Sequence, residues 1–212
     1  MSQRLIYVMD PMCSWCWGFA PVIDAIQARY PELTIHLVAG GLRPGQREPV
    51  DTATRQVLAE HWQAVEQASG QPFLQPQQLP DGFVYNTEPA CRALVAGREL
   101  DNQLVWNLVK AIQQAFYASL ADVTQPGVLV DLAESCGYSR TAFAASYDAE
   151  STRAALAADF SWTRDLGIAG FPTLLAQRDG QLALLTNGYQ PADQVLALLS
   201  RWCEAGQAAS AS

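Results

Sequence analysis

The chain has 212 residues, half of them hydrophobic and 16% charged, with a formal net charge of −8. That length and composition suit one globular domain, or one domain carrying a large insertion, and exclude a disordered chain. An acidic surface repels phosphate backbones, so nucleic acid is not an expected partner, and no apolar run approaches the ~20 residues that would span a bilayer.

The first ten residues, MSQRLIYVMD, lack the apolar stretch of a signal peptide, which makes the cytoplasm the expected compartment. Within them Leu5-Ile6-Tyr7-Val8-Met9 is a continuous apolar run, as in a strand buried on both faces. Asp10-Pro11 reads as a helix start, with Asp10 as cap and Pro11 in the first position. This helix would run through Val22, Ile23 and Ile26 to about Tyr30, where Pro31 stops it. Residues 33–39 alternate as a second strand that ends at Gly40-Gly41, completing a βαβ opening.

From about Pro49 to Tyr147 the periodicity is helical. Helices are expected over 51–69, 88–99, 101–118, 126–136 and 139–147, with a loop rich in Pro, Gln and Gly between Gly70 and Asn86. A long helix over about 150–166 then leads into Gly170-Phe171-Pro172-Thr173. Two short strands around Arg178-Asp179-Gly180 read as a β-hairpin, and Pro191 opens a last helix that ends in the tail AGQAASAS. The expected architecture is therefore α/β. Residues 1–45 and 150–205 form one unit, 46–149 form an inserted all-helical domain, and 206–212 form a disordered tail.

Five cysteines, an odd number without a secretion signal, do not make a disulfide framework. Cys91, Cys136 and Cys203 each continue an apolar helical stripe and read as small core residues. Cys13 and Cys16 form a Cys-x-x-Cys pair. Zinc would need more ligands nearby, and His36 and His61 are isolated, one on a strand and one on a helix surface, so no metal is expected. A redox pair fits better. The amino end of a helix presents free N–H groups and partial positive charge, which suit a sulfur anion at Cys13. Cys16, one turn below, is placed to act as the resolving thiol. Trp15 between them reads as part of a contact surface, whereas Trp17 and Phe19 support the helix. Ser14 is small and neutral, and Asp10 is a supporting neighbour.

The run Asp10-Pro11-Met12-Cys13-Ser14-Trp15-Cys16-Trp17-Gly18-Phe19, with the distant Gly170-Phe171-Pro172-Thr173-Leu174, resembles the thioredoxin superfamily. The helical block between the halves is similar to DsbA-like oxidoreductases, and more narrowly to their cytosolic FrnE-like branch. Pro21 matches the helix-kinking proline of thioredoxins and removes the hydrogen bond to the Trp17 carbonyl. The resemblance implies a thioredoxin fold with a large helical insertion, Cys13 as attacking thiol, Cys16 as resolving thiol and a cis Pro172 that turns the Phe171 backbone towards substrate. It implies exchange with protein or peptide disulfides and thiols, or glutathione, and no cofactor. A neighbouring branch is the alternative: Asn86-Thr87-Glu88-Pro89-Ala90-Cys91-Arg92-Ala93 is similar to a segment of kappa-class glutathione transferases and 2-hydroxychromene-2-carboxylate isomerases. In that reading Arg92 meets a glutathione carboxylate, although a solvated helix arginine would look the same in sequence.

Overall fold

A computed structural model describes residues 3–210. Its first strand, β1 (Gln3–Met9), takes the apolar run and pairs in parallel with β2 (Thr34–Ala39) across α1 (Ser14–Arg29). Five helices follow: α2 (Thr52–Ser69), α3 (Glu88–Leu100), α4 (Val105–Ser119), α5 (Pro126–Ser135) and α6 (Arg140–Asp148). The chain then returns through α7 (Glu150–Asp165) to the hairpin of β3 (Thr173–Arg178) and β4 (Gln181–Asn187), and closes with α8 (Ala192–Ser210). The sheet order is β2-β1-β3-β4, with β3 antiparallel to both of its neighbours. Asp179 and Gly180 both take positive φ in the two-residue turn, the conformation a tight hairpin demands.

Three boundaries differ from the sequence reading. α1 begins at Ser14, not at Asp10-Pro11, because the Cys13 N–H closes a turn on the Asp10 carbonyl (2.9 Å) before helical bonding starts. α4 begins at Val105, not at Asp101, because the Asp101 side chain accepts from the Gln103 N–H (2.8 Å) and holds a separate turn there. The last helix continues to Ser210 where a disordered tail was expected from residue 206. Two alanines in that segment, Ala208 and Ala209, favour continuation of the helix, and only residues 211 and 212 of the expected tail lie outside the described residues.

The two faces of the sheet are covered differently. Leu5, Tyr7, Met9, Leu37 and Leu174 point into a core with α1, α4 and α8, and this core runs on without a break into the helices of the central block. Ile6, Val8, Val38 and Leu175 point to the other face, beneath Trp162 and Ile168. The period-2 alternation of β1 serves both layers. At the end of β2, Arg98 of α3 donates to both oxygens of Asp159 on α7 (2.8 and 3.3 Å) and to the Leu37 carbonyl (2.7 Å). Asp159 in turn accepts from the Ala39 N–H (2.9 Å). A half-buried, doubly hydrogen-bonded pair of this kind fixes geometry as much as it contributes energy. It holds the strand end from which Gly40 and Gly41 depart.

Pro21 lies inside α1, and the carbonyl it leaves unpaired, on Trp17, is satisfied by the Gln71 side-chain amide (3.1 Å) from the loop after α2. Gly18 allows that approach of α2: a Cβ there would stand 2.7 Å from Val65 Cγ1.

Candidate active site

Sheet register assembles the site. Val8 pairs with Thr173, so the residues just beyond Met9 and just before Thr173 meet at the same end of the sheet. Cys13 is the N-cap of α1, with extended backbone, and its carbonyl accepts from the N–H groups of Cys16 (3.0 Å) and Trp17 (3.1 Å). Its thiol donates to the Phe171 carbonyl oxygen (3.7 Å) across the join of the two halves. The Phe171–Pro172 peptide bond is cis, and Pro172 is buried. Cys13 is 5% exposed and Cys16 fully buried, both as free thiols. Burial pushes the Cys16 thiol well above its ordinary pKa, and its hydrogen-bonding contact with Cys13 adds to the rise. Both thiols are thus buried, Cys13 keeping a trace of exposure and Cys16 none.

Asp10 does not cap α1. It is fully buried, with one carboxylate oxygen accepting from the Met12 N–H (2.8 Å) and the other from the Leu42 N–H (2.6 Å) and the Cys91 thiol (3.4 Å). Burial raises its pKa, and these hydrogen bonds oppose the rise. Asp10 thus ties the cysteine turn to the loop after β2. Thr87 and Asn86 fasten the same loop, accepting from the N–H groups of Arg43 (3.1 Å) and Gly45 (2.8 Å). The Asn86-to-Ala93 motif does its structural work here. Arg92 is buried, paired with Glu88 (3.0 Å) and stacked 4.2 Å from the Tyr147 ring. It is neither a solvated arginine nor open to a ligand carboxylate, because helix packing turns it inward.

The aromatic residues divide by role. Trp15 is half-buried, its ring 5.4 Å from that of Tyr189, whose hydroxyl donates to the Ala68 carbonyl (3.0 Å). Trp17 is packed 6.5 Å from the Tyr117 ring and donates to the Pro72 carbonyl (3.1 Å), a core support and not a contact surface. Ser14 is the first residue of α1 and half-buried. The Phe171 ring lies on Gly40, where a Cβ would stand 2.1 Å from Cε1. Its side chain is therefore a packing element, while its carbonyl faces the thiol.

Several residues of the site escape a sequence reading. Tyr85 donates to the Met12 carbonyl (2.6 Å), its hydroxyl 3.3 Å from that of Tyr117, and both lie buried under the cysteine turn. Tyr7 of β1 places its hydroxyl beside Cys16. Only Tyr7 carries a local signal, a polar tip in an otherwise apolar strand. His36 is a half-buried strand residue and His61 an exposed helix residue. Cys91 is fully buried, whereas Cys136 and Cys203 are only partly buried against the core. Among the described residues no group of three His, Cys, Asp or Glu side chains converges as metal ligands do, and no helix is long and apolar enough to cross a membrane.

The DSBA-like thioredoxin domain family matches residues 4–200. The chain belongs to that family. Among solved structures it is similar to a candidate protein disulfide isomerase from Nitrosomonas europaea, with 36% identity, 96% of this chain and 98% of that one covered, and a TM-score of 0.89. It is also similar to the cytosolic disulfide reductase DsbM from Pseudomonas aeruginosa, with 30% identity, 94% and 98% coverage and a TM-score of 0.79, a protein also solved with GSH. Among curated proteins it is 23% identical over 173 residues to the ClpXP adapter protein SpxH of Bacillus subtilis (strain 168), which covers 78% of this chain and 55% of that protein. The chain thus spans little more than half the length of that relative. The thioredoxin-like α/β fold with a helical block between its halves, expected from the sequence, is the fold of this family.

Proposed function

We propose that this protein is a thiol–disulfide oxidoreductase acting on protein, peptide or small-molecule disulfides, with Cys13 as attacking thiol and Cys16 as resolving thiol. The observation that carries the reading is the pair itself. Cys13 Sγ sits at the amino end of α1 against the Phe171 carbonyl, and Cys16 lies one turn below it as a free thiol. Cys13 sulfur attacks a substrate disulfide, one substrate sulfur leaves, and a mixed disulfide forms. Cys16 then attacks Cys13 Sγ, closing the internal disulfide and releasing the second substrate sulfur as a thiol. Two electrons pass from the protein dithiol to the substrate, and the reverse sequence oxidises a dithiol substrate.

The Phe171 backbone and the half-buried Trp15 border the thiol, and we assign to them the binding of an extended substrate segment. The cytosol is the compartment this reading favours, on the strength of the cytosolic relative. Glutathione is the small thiol it favours as electron donor, because that relative has been solved with it. The glutathione-transferase or isomerase alternative rests on the Asn86-to-Ala93 segment and the helical block and not on Arg92, which is internal and paired with Glu88.

The test is insulin reduction with dithiothreitol, followed by equilibration of the Cys13–Cys16 pair against glutathione buffers. Turbidity is expected to rise with the parent protein and not with Cys13→Ser. Undiminished activity in Cys13→Ser would overturn the proposal. The equilibrium position then separates reductant, isomerase and oxidant roles.

A further inference from the structure

A buried thiol is a poor nucleophile. Cys16 has no exposed surface, and burial, the Cys13 sulfur and the Asp10 carboxylate all oppose its ionisation. Yet Cys16 must become an anion each time the internal disulfide closes. The site therefore needs a group that holds a negative sulfur in a dry environment.

Tyr7 has the required position and chemistry. It is the fifth of the seven residues of β1, fully buried, with its ring edge-on to Trp106 (6.2 Å between centroids) and tilted against Phe19 (5.7 Å). Those contacts fix where its hydroxyl points. The hydroxyl is buried with no hydrogen-bond partner of ordinary geometry, a costly state for a polar atom in a native core. Its ionisable neighbours are Cys16 and then Cys13. An O–H donor without an acceptor thus faces a sulfur that becomes a strong acceptor only when it carries charge.

We propose that Tyr7 is the hydrogen-bond donor that stabilises the Cys16 thiolate while Cys16 attacks the mixed disulfide at Cys13. In that step the Cys16–Cys13 S–S bond forms and the Cys13–substrate S–S bond breaks. The substrate sulfur departs with the bonding pair, and it is protonated by solvent, which also receives the proton that Cys16 gave up. The phenol keeps its own proton throughout. Burial and the two sulfurs push its pKa well above the ordinary value, so at neutral pH it is a donor and never a base. The other ionisable groups facing Cys16 are Cys13 on its own helix and Asp10 in the preceding turn. Neither side chain can supply this interaction, because Cys13 is bonded to substrate at that moment and a carboxylate is an acceptor only. The Asp10 backbone favours the Cys16 anion through a hydrogen bond, and the Tyr7 hydroxyl would be a second donor to the same sulfur.

This inference rests on the disulfide-exchange reading and is tested one step further along it. React the reduced parent and Tyr7→Phe with a peptide disulfide, quench in acid, and quantify mixed disulfide and internal disulfide by mass spectrometry against time and pH. Phenylalanine keeps the ring and removes only the hydroxyl, and far-UV circular dichroism of the variant should match the parent. Formation of the mixed disulfide should proceed within about twofold of the parent rate. Its resolution should slow about tenfold, the size expected for one hydrogen bond to a charged group. The pH profile of resolution should move upward by about one unit. Tyr7→Leu, which also loses packing, separates support of the ring from the work of the hydroxyl. Resolution that is unchanged in Tyr7→Phe, or both steps slowed alike, overturns the role of Tyr7. A parent that forms no mixed disulfide at all overturns the exchange reading itself.

Discussion

Cys13 and Cys91 are the same side chain, both buried and both in contact with Asp10, yet they meet different parts of it and face different surroundings. Cys13 meets the Asp10 backbone, its N–H on the carbonyl, and stands at the open end of α1 with its thiol aimed at the Phe171 carbonyl. Cys91 meets the Asp10 carboxylate itself, inside the first turn of α3. Burial and then the Asp10 charge push the Cys91 thiol well above its ordinary value. The two cysteines therefore differ in which part of one aspartate they touch, the backbone for Cys13 and the carboxylate for Cys91.

The largest effect is expected from separating the two. Cys13→Ser should lower disulfide reduction by at least about a hundredfold, because the proposed attacking atom is lost. Cys91→Ala should keep the rate within about twofold while costing some stability from the small cavity. Brief alkylation of the native protein, read by peptide mapping, should modify Cys13 and leave Cys91 untouched until the chain is unfolded. Equal loss of activity in both variants would erase the contrast.

The next effect is steric. At Gly40 a Cβ would stand 2.1 Å from one Phe171 ring carbon and 2.4 Å from another, and a rigid ring cannot bend away as a flexible side chain does. Gly40→Ala should lose about 1–3 kcal/mol in urea denaturation, as overpacking does. It should also lower kcat/KM about tenfold, because moving Phe171 moves the carbonyl beside Cys13. Gly127→Ala in α5, where nothing lies within 4 Å, is the control and should leave kcat/KM unchanged.

A subtler effect belongs to Asp10. Its folded pKa is raised, so the folded protein holds this proton more tightly than the unfolded chain does. The contribution of Asp10 to stability is then greatest at low pH. It declines as pH rises from the ordinary carboxylate value through the raised folded value, and it is flat above that. Asp10→Asn removes the titration. The difference in melting temperature between parent and variant should therefore shift in favour of the parent as pH falls across that window. A difference that is constant with pH would show that Asp10 titrates in the folded protein as it does in water.

What the sequence made legible follows from the range of each interaction. The helices at α2 and α6 start within a residue of expectation because their caps, Asp51 and Ser139, bond to backbone three residues on. Asp10 misled the reading because its carboxylate is drawn away by Leu42 and Cys91, contacts set by tertiary structure. The Cys-x-x-Cys pair is local and was visible at once. Phe171 and Pro172 were visible through resemblance, since only the Val8–Thr173 register brings them to Cys13. Tyr85, Tyr117 and Gly40 left no trace in spacing, because each acts on the site from a different element. Arg92 shows the converse, a motif residue whose role changed once Glu88 and Tyr147 closed around it.

The smallest expected effect concerns the rim. Trp15 rests on Tyr189, and Tyr189 is held by a hydrogen bond to the Ala68 carbonyl at the exposed end of α2 and by edge-on packing against Phe19 (6.4 Å between centroids). A solvent-exposed bond of this kind contributes about 0.5 kcal/mol, at the low end of the usual range. Tyr189→Phe should therefore leave stability and kcat nearly unchanged. Should Trp15 be part of the substrate surface, Trp15→Ala must raise KM for a peptide disulfide several-fold at constant kcat, because a ring that binds substrate and transition state alike affects only uniform binding. Tyr189→Phe should then raise KM by less than about twofold, since stacking keeps the indole in place without the hydroxyl. A fall in kcat for Trp15→Ala with KM unchanged would instead make Trp15 a support of the α1 terminus, and the docking surface would reduce to the Phe171 backbone.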